Sequence, residues 1–538
     1  MSKSKAKDLQ TKENKLSVLR VFEELLKEKR MLPSRSEMIR AGVSRDRIRG
    51  AFGNMEGLKQ AAKKWKPSLF KNIIDGSIFN SEMIEDIKSK IGDFSKLVIT
   101  TAVAGARVHE GFLSSLKLYC KKNKAMLLIL PCADPASSPG MELDGVLAGE
   151  HIVFDDIALN DNVFISAIKL SAKQINPLTG LSYLAQAQGS FIYASPKQFL
   201  EYESVGNSKI PRALMTTGAV TVPNYETDIY MAERTAYIAK KHHKLGAVIV
   251  EIDNDREFHF TQVQAEYGSG FFIDRGIYYK GSEKKTEKVR PAAIVPGDWH
   301  CGATNSMVRE VTFQMIKDLK PKKFIAHDFF NGLSINRHES FNKIKKAIRF
   351  ENNELGLQEE LKITADEINK ISSMVDELVI VKSNHDQFLD RYLSDGMYLT
   401  DQQNFRIAHE LVGAVMDGKD ALRFGVEKFG IKKPNSIKWL GINEDYFIAD
   451  IQHGVHGHLG RNGHRNPSNR ALERAYGAIT AGHSHTPGIL RDVFRVGTST
   501  DLREGYNDGA STWMHTHCLV YDNGSRQLIN IFNGKYRG

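Results

Sequence analysis

Five short apolar runs in the second half of this chain each end in a cluster of metal-ligating side chains. That order is the strongest constraint on what the chain can fold into. Residues 294–296 run into Asp298-Trp299-His300, 324–326 into His327-Asp328, and 378–381 into Ser383-Asn384-His385-Asp386. Residues 446–451 precede a stretch holding His453, His456 and His458, and 478–481 precede Gly482-His483-Ser484-His485. Short apolar runs bounded by polar turns read as buried strands, and open α/β sheets place ligands beyond the carboxyl ends of their strands. A lone histidine is most often a satisfied core or surface residue; an ordered set at successive strand ends is not. The set supplies carboxylate, amide and imidazole but no thiolate, which suits two hard-to-borderline divalent ions such as Mn, Fe or Zn. A pair of such ions is a standard device for cleaving a phosphate ester. The four cysteines, Cys120, Cys132, Cys301 and Cys518, lack CxxC spacing and read as free thiols.

A length of 538 residues predicts two to four domains. The formal charge of +10 is uneven. Residues 1–71 hold 19 Lys and Arg against 8 Asp and Glu, while the remainder holds 55 against 56. The positive excess therefore sits on one N-terminal module, which charge alone reads equally as a site for a polyanion partner, DNA first, or as a solubilising arm. Residues 1–14 read as a disordered arm and 15–70 as a basic all-α module. Ser34 with Glu37 forms a capping box, Gly42 ends that helix, and Ser44 caps a third helix carrying Arg45, Arg47 and Arg49. This pattern resembles a helix-turn-helix, and 32–54 is similar to the small modules found beside homing endonucleases; Arg45, Arg47 and Arg49 are its expected DNA contacts. No run of about 18 apolar residues predicts a membrane span. The polar N-terminus has no signal-peptide core, so a cytoplasmic location is expected.

Residues 71–95 read as a linker helix and 96–290 as an α/β domain, with strands at 97–101, 125–130, 190–193, 247–252 and, more weakly, 220–222 and 258–262. That region shows no phosphate-binding loop and no nucleophile elbow. A structural or homo-oligomerisation role is the reading it supports. From 291 the alternation resumes, interrupted by charged helical insertions near 337–376 and 391–429.

The order Asp-x-His, Asp, Asn-His-Asp, His, Gly-His-x-His over 291–538 resembles the calcineurin-like metallophosphoesterase superfamily. The resemblance implies an α/β fold, a four-layer sandwich of two sheets around two metal ions. It implies that Asp298, His300 and His485 hold the first ion, that Asp328 bridges both, and that Asn384, His483 and a His-Gly histidine hold the second. For that last position the loop His456-Gly457-His458-Leu459-Gly460-Arg461-Asn462-Gly463 favours His456, whereas His453 lies nearer the strand end. His385 would face the leaving group and Asp386 would orient it. A metal-bridging hydroxide would attack phosphorus in line. Arg461 and Arg465, beside the site, read equally as contacts to a DNA backbone or as a solvated loop. One departure is that the usual Gly-Asp-x-x-Asp becomes His327-Asp328-Phe329-Phe330-Asn331. The whole chain also resembles the pre-early DNA-transfer proteins of T5-like bacteriophages, which implies Mn-dependent degradation of host DNA early in infection. Mn is then the expected ion, with Fe, Zn or Mg as alternatives. The rival functions are a phosphatase or cyclic-nucleotide phosphodiesterase, and a non-catalytic DNA-binding or scaffold protein.

Overall fold

The computed structural model describes residues 3–71, 73–75, 81–132, 142–204, 206, 210–225, 233–336, 342–504 and 507–537. It is a mixed α/β structure. The N-terminal module is a helical bundle whose first helix, Lys3–Lys29, corrects the expectation of a disordered arm over 1–14. No Gly or Pro interrupts that stretch. Its Lys, Leu, Glu and Gln residues are good helix formers, and it extends a segment anchored by buried Val18, Phe22 and Leu26. Ser34 and Glu37 form the capping box that starts Arg35–Arg40. Ser44 caps Arg45–Phe52. A further helix, Met55–Trp65, completes the core around Met38, Ile48 and Leu58. The bundle docks on the central region through Arg30, whose guanidinium lies 2.6 Å from Glu110 and 3.0 Å from buried Asp144. The expected linker contains the helix Ser81–Ile91. No helix among the described residues is long and apolar enough to cross a membrane.

Two sheets dominate the rest. The first has the order Ile437–Leu440, Glu377–Val381, Lys323–Ala326, Ala293–Val295, Thr516–Val520, Arg526–Asn530. Its first four strands are parallel, which puts their carboxyl ends on one edge, and the last two return antiparallel. Side chains alternate as a two-residue period requires. Ile294, Phe324, Leu378 and Ile380 pack on helices including Ser306–Leu319 and Leu357–Ser372. Val295, Ile325, Val379 and Val381 face the second sheet.

The second sheet has ten strands. It runs from Phe447–Ile448 through Ile451–Gln452, Ile479–Ala481, Val493–Arg495 and Gly488–Leu490 into Phe199–Glu203, and ends with four strands from 157–216. The join is antiparallel, with Leu200 opposite Ile489. Helix Asn469–Tyr476 covers its outer face through Leu472. Residues 96–290 thus contribute half of a sheet whose other half carries histidine clusters. They also form a five-stranded sheet, Phe258–Gln264, Gly246–Ile252, Lys96–Val103, Met126–Cys132, His151–Ile152, packed into the same core. The weaker strand expected at 220–222 makes only isolated bridges. The single strand expected at 446–451 is two short strands, because Ala449 (φ 49°) and Asp450 (φ 61°) form a tight reversal.

Candidate metal centre

All five strand ends deliver candidate ligands to one place. Asp298, His300, Asp328 and His485 form one group able to hold an ion, and Asp328, His456 and His483 form a second. Asp328 belongs to both. Its Oδ2 lies 3.7 Å from His300 Nε2 and 3.2 Å from His456 Nε2. His485 Nε2 is 3.1 Å from Asp298 Oδ2 and 3.4 Å from His300 Nε2. Asn384 Oδ1 lies 3.0 Å from His456 Nε2, which sets the amide in the second group.

The backbone is bent to achieve this. His300 (φ 50°), Asp328 (φ 44°), His483 (φ 74°) and His485 (φ 55°) all sit in the left-handed region. Each such residue costs of order 1 kcal/mol and persists where the surroundings over-determine it, as at functional sites. Gly482 is required for a different reason: a Cβ there would fall 2.1 Å from Asp298 Oδ1. The His483 backbone N–H donates to Asp298 Oδ2 at 2.7 Å. His517 braces the same loop, since its Nδ1 accepts from Gly297 N–H at 3.0 Å while Nε2 lies 2.7 Å from Thr312 Oγ1. His515, 2.8 Å from the Thr500 carbonyl, is likewise tied to backbone.

The donor set fits divalent ions. Asp298 Oδ1, Asp328 Oδ1, His456 Nδ1 and His485 Nδ1 are buried with no hydrogen-bond partner among the described residues. Buried carboxylates so arranged are costly unless a cation meets them. Burial pushes the Asp298 carboxyl up to about 6, against the His485 hydrogen bond. Burial also holds His300 well below the usual imidazole range, His456 at about 3 and His483 at about 4. Neutral imidazole is the metal-binding form.

The remaining expected residues divide. His453 is buried outside both ligand groups, near Arg526 and His327. His456 lies within the second group, its Nε2 3.2 Å from Asp328 Oδ2 and 3.0 Å from Asn384 Oδ1. His385 stands over His300, ring centroids 4.5 Å apart. The expectation that Asp386 orients it is corrected. His385 Nδ1–H donates to the Asn331 carbonyl at 2.5 Å, whereas Asp386 Oδ2 accepts from the Ser383 N–H at 2.8 Å and so shapes its own loop. A carboxylate one residue away along a helix start cannot turn back onto the neighbouring ring. Arg461 and Arg465 are exposed on the loop beyond His458. Arg391, not singled out from sequence, acts with Arg465 on His458 and lies against the Phe388 ring that flanks His385. Its signal was hidden in a charged insertion. Arg45 and Arg49 are exposed on the N-terminal bundle, while Arg47 donates to Ser17 Oγ at 2.7 Å.

Fold and site together define a mixed α/β protein with a buried carboxylate–imidazole centre able to hold metal. No family model matches the chain, and no solved structure matches it. The chain is 29% identical over 485 residues to Protein A1 of Escherichia phage T5, with 85% of each covered. It is thus related to a T5 phage protein.

Proposed function

We propose that this chain is a dinuclear-metal phosphodiesterase of the calcineurin-like metallophosphoesterase kind, that its substrate is DNA, and that a phage uses it to degrade host DNA early in infection. The observation that carries the reading is the sharing of Asp328 between two ligand groups with His385 at their edge. The helix–sheet–sheet–helix layering of the ligand-bearing half agrees with the four-layer sandwich of that superfamily. Two divalent ions, Mn first with Fe, Zn or Mg as alternatives, would supply Lewis acidity and an activated water when bound.

The chain's own residues supply the rest. Asp298, His300 and His485 would hold one ion, Asn384, His456 and His483 the other, and Asp328 both. His385 keeps Nδ1–H on the Asn331 carbonyl, so Nε2 is the atom left for a leaving-group oxygen. There the protonated ring donates and the neutral ring accepts, the requirement for general acid–base work. Arg391 and Arg465 place positive charge at the rim, where a phosphate backbone would lie.

Incubation of the purified chain with linear and closed-circular DNA plus MnCl₂ tests the proposal. Cleavage that needs Mn and is lost in Asp328→Ala and His385→Ala supports it. Vigorous hydrolysis of bis-p-nitrophenyl phosphate with none of DNA would replace it with the small-substrate phosphatase or phosphodiesterase reading.

A further inference from the structure

The insertion at 342–376 interrupts the strand–ligand alternation, yet its helix Leu357–Ser372 reaches the centre twice. Glu360, buried in the first turn, accepts from the Leu333 N–H at 2.7 Å, the Ser334 N–H at 3.1 Å and the Ser334 hydroxyl at 2.6 Å. Those residues close the loop that begins at Asp328 and places the Asn331 carbonyl on His385 Nδ1. Gly332, between them, is in the left-handed region (φ 69°), and a Cβ there would lie 3.3 Å from Phe388 and 3.4 Å from the His385 carbonyl. From the other side Arg349 donates to the Leu333 carbonyl at 3.0 Å. Two turns along the same helix, Glu367 accepts from Trp299 Nε1 at 3.2 Å and from Arg309 at 2.9 and 2.7 Å. Trp299 is fully buried between Asp298 and His300. The helix start is itself fixed, because the Leu357 N–H donates to Asn404 Oδ1 at 2.8 Å.

A surface helix has no need of two nearly buried carboxylates seven residues apart. Burying each is strongly unfavourable unless it is fully paired. Glu360 is offset by three donors and by its place at a helix N-terminus, Glu367 by a bidentate arginine and an indole. Each spends that pairing on a different ligand-bearing loop.

We infer that helix Leu357–Ser372 is a positioning brace for the centre: Glu360 sets the orientation of His385 through the Asn331 loop, and Glu367 sets Asp298 and His300 through Trp299. The inference rests on the phosphodiesterase reading above. It goes further by giving the insertion a task and by separating two kinds of damage.

The test uses the full-length chain with MnCl₂ and two esters of matched shape. Bis-p-nitrophenyl phosphate releases a good leaving group, and diphenyl phosphate a poor one. Glu360→Ala is expected to slow the poor ester about 10–100-fold, the usual effect of removing a residue that orients a site group, and the good ester far less. Mn²⁺ affinity by titration calorimetry should stay unchanged. The Glu360→Ala/His385→Ala double variant should be no slower than His385→Ala, because residues acting through one another are non-additive. Glu360→Gln, which keeps one acceptor, should fall between wild type and Glu360→Ala, and it carries the test if Glu360→Ala fails to fold. Glu367→Ala should instead weaken Mn²⁺ binding and slow both esters alike. Equal losses on both esters for the Glu360 variants, or additivity with His385→Ala, overturns the brace. If His385→Ala itself treats the esters alike, the leaving-group role of His385 falls. The brace then stands or falls on additivity alone. No hydrolysis of either ester by the wild-type chain would instead remove the phosphodiesterase reading.

Discussion

The two ligand groups that share Asp328 are built differently. Asp298, His300 and His485 are all buried. They offer two carboxylates with Asp328, and are held from behind by Gly482, His517 and the Trp299–Glu367 contact. Among the described residues the second group has Asp328 as its only carboxylate, a neutral amide from Asn384, buried His456, and His483, which is half-buried. His483 leans on Asn466 at 2.6 Å and lines an open cavity of about 630 Å³. Charge and burial both strengthen ion binding in the first group. The second is the more open, more weakly charged half; under the proposed function it is the half whose ion would meet substrate. One wall of that cavity is Glu201, Tyr202 and Glu203, so the central region borders the open side of His483.

The largest effect that could break this comparison is removal of the shared ligand. Asp328→Ala should abolish both binding events in an Mn²⁺ titration and cost at least about 10³-fold in phosphoester hydrolysis, on the scale of losing a catalytic unit. Survival of either binding event would show that Asp328 is not common to both. Next, wild type should bind Mn²⁺ in two phases of unequal affinity. His300→Ala should remove the tighter phase and His456→Ala the weaker, each with roughly 10²-fold loss of rate. His453→Ala should leave both phases in place. Loss of a phase in that variant would move the ligand assignment to His453. Smaller again is Gly482→Ala. Its Cβ would collide with Asp298 Oδ1, so the tighter phase alone should weaken, with the weaker one unchanged as the internal control.

Much of the centre was legible in the sequence because each ligand sits just past its own strand. An apolar run and the polar residues after it are neighbours in sequence and in space, so local pattern carries both. The Ser34–Glu37 capping box was readable for the same reason. What sequence did not carry is pairing at a distance. Leu200 opposes Ile489, and neither strand advertises its partner, so the central region read as separate when it completes the sheet beside His483. The role of Asn331 was also hidden. A backbone carbonyl has no residue type, so the group that holds His385 could not be seen, and the adjacent Asp386 drew the assignment instead. Glu360 and Glu367 looked like two acids in a charged helix until the fold turned them inward. The left-handed φ of four ligands is likewise invisible in residue types, since His and Asp only tolerate that region.

The smallest predicted effect concerns the module farthest from this chemistry in sequence. Deleting it would not be a clean test, because Arg30 pairs with Oδ2 of buried Asp144, which also accepts from the Val108 N–H, while Oδ1 accepts from the Val146 N–H. Substitution is cleaner. Arg45 and Arg49 are exposed and four residues apart on one helix face, whereas Arg47 is already engaged with Ser17. If the bundle contacts DNA, Arg45→Ala and Arg49→Ala should each lower the slope of log affinity against log salt by about 1, and Arg47→Ala by less. Fluorescence anisotropy on a duplex across a NaCl series measures that slope. Hydrolysis of bis-p-nitrophenyl phosphate should be unchanged in all three, since none of these arginines belongs to the metal groups. A slope unaltered by both Arg45→Ala and Arg49→Ala would leave the positive charge of the bundle without a DNA contact on this helix. DNA recognition would then rest on Arg391, Arg461 and Arg465 beside the metal groups, and the same salt series on Arg465→Ala would show it.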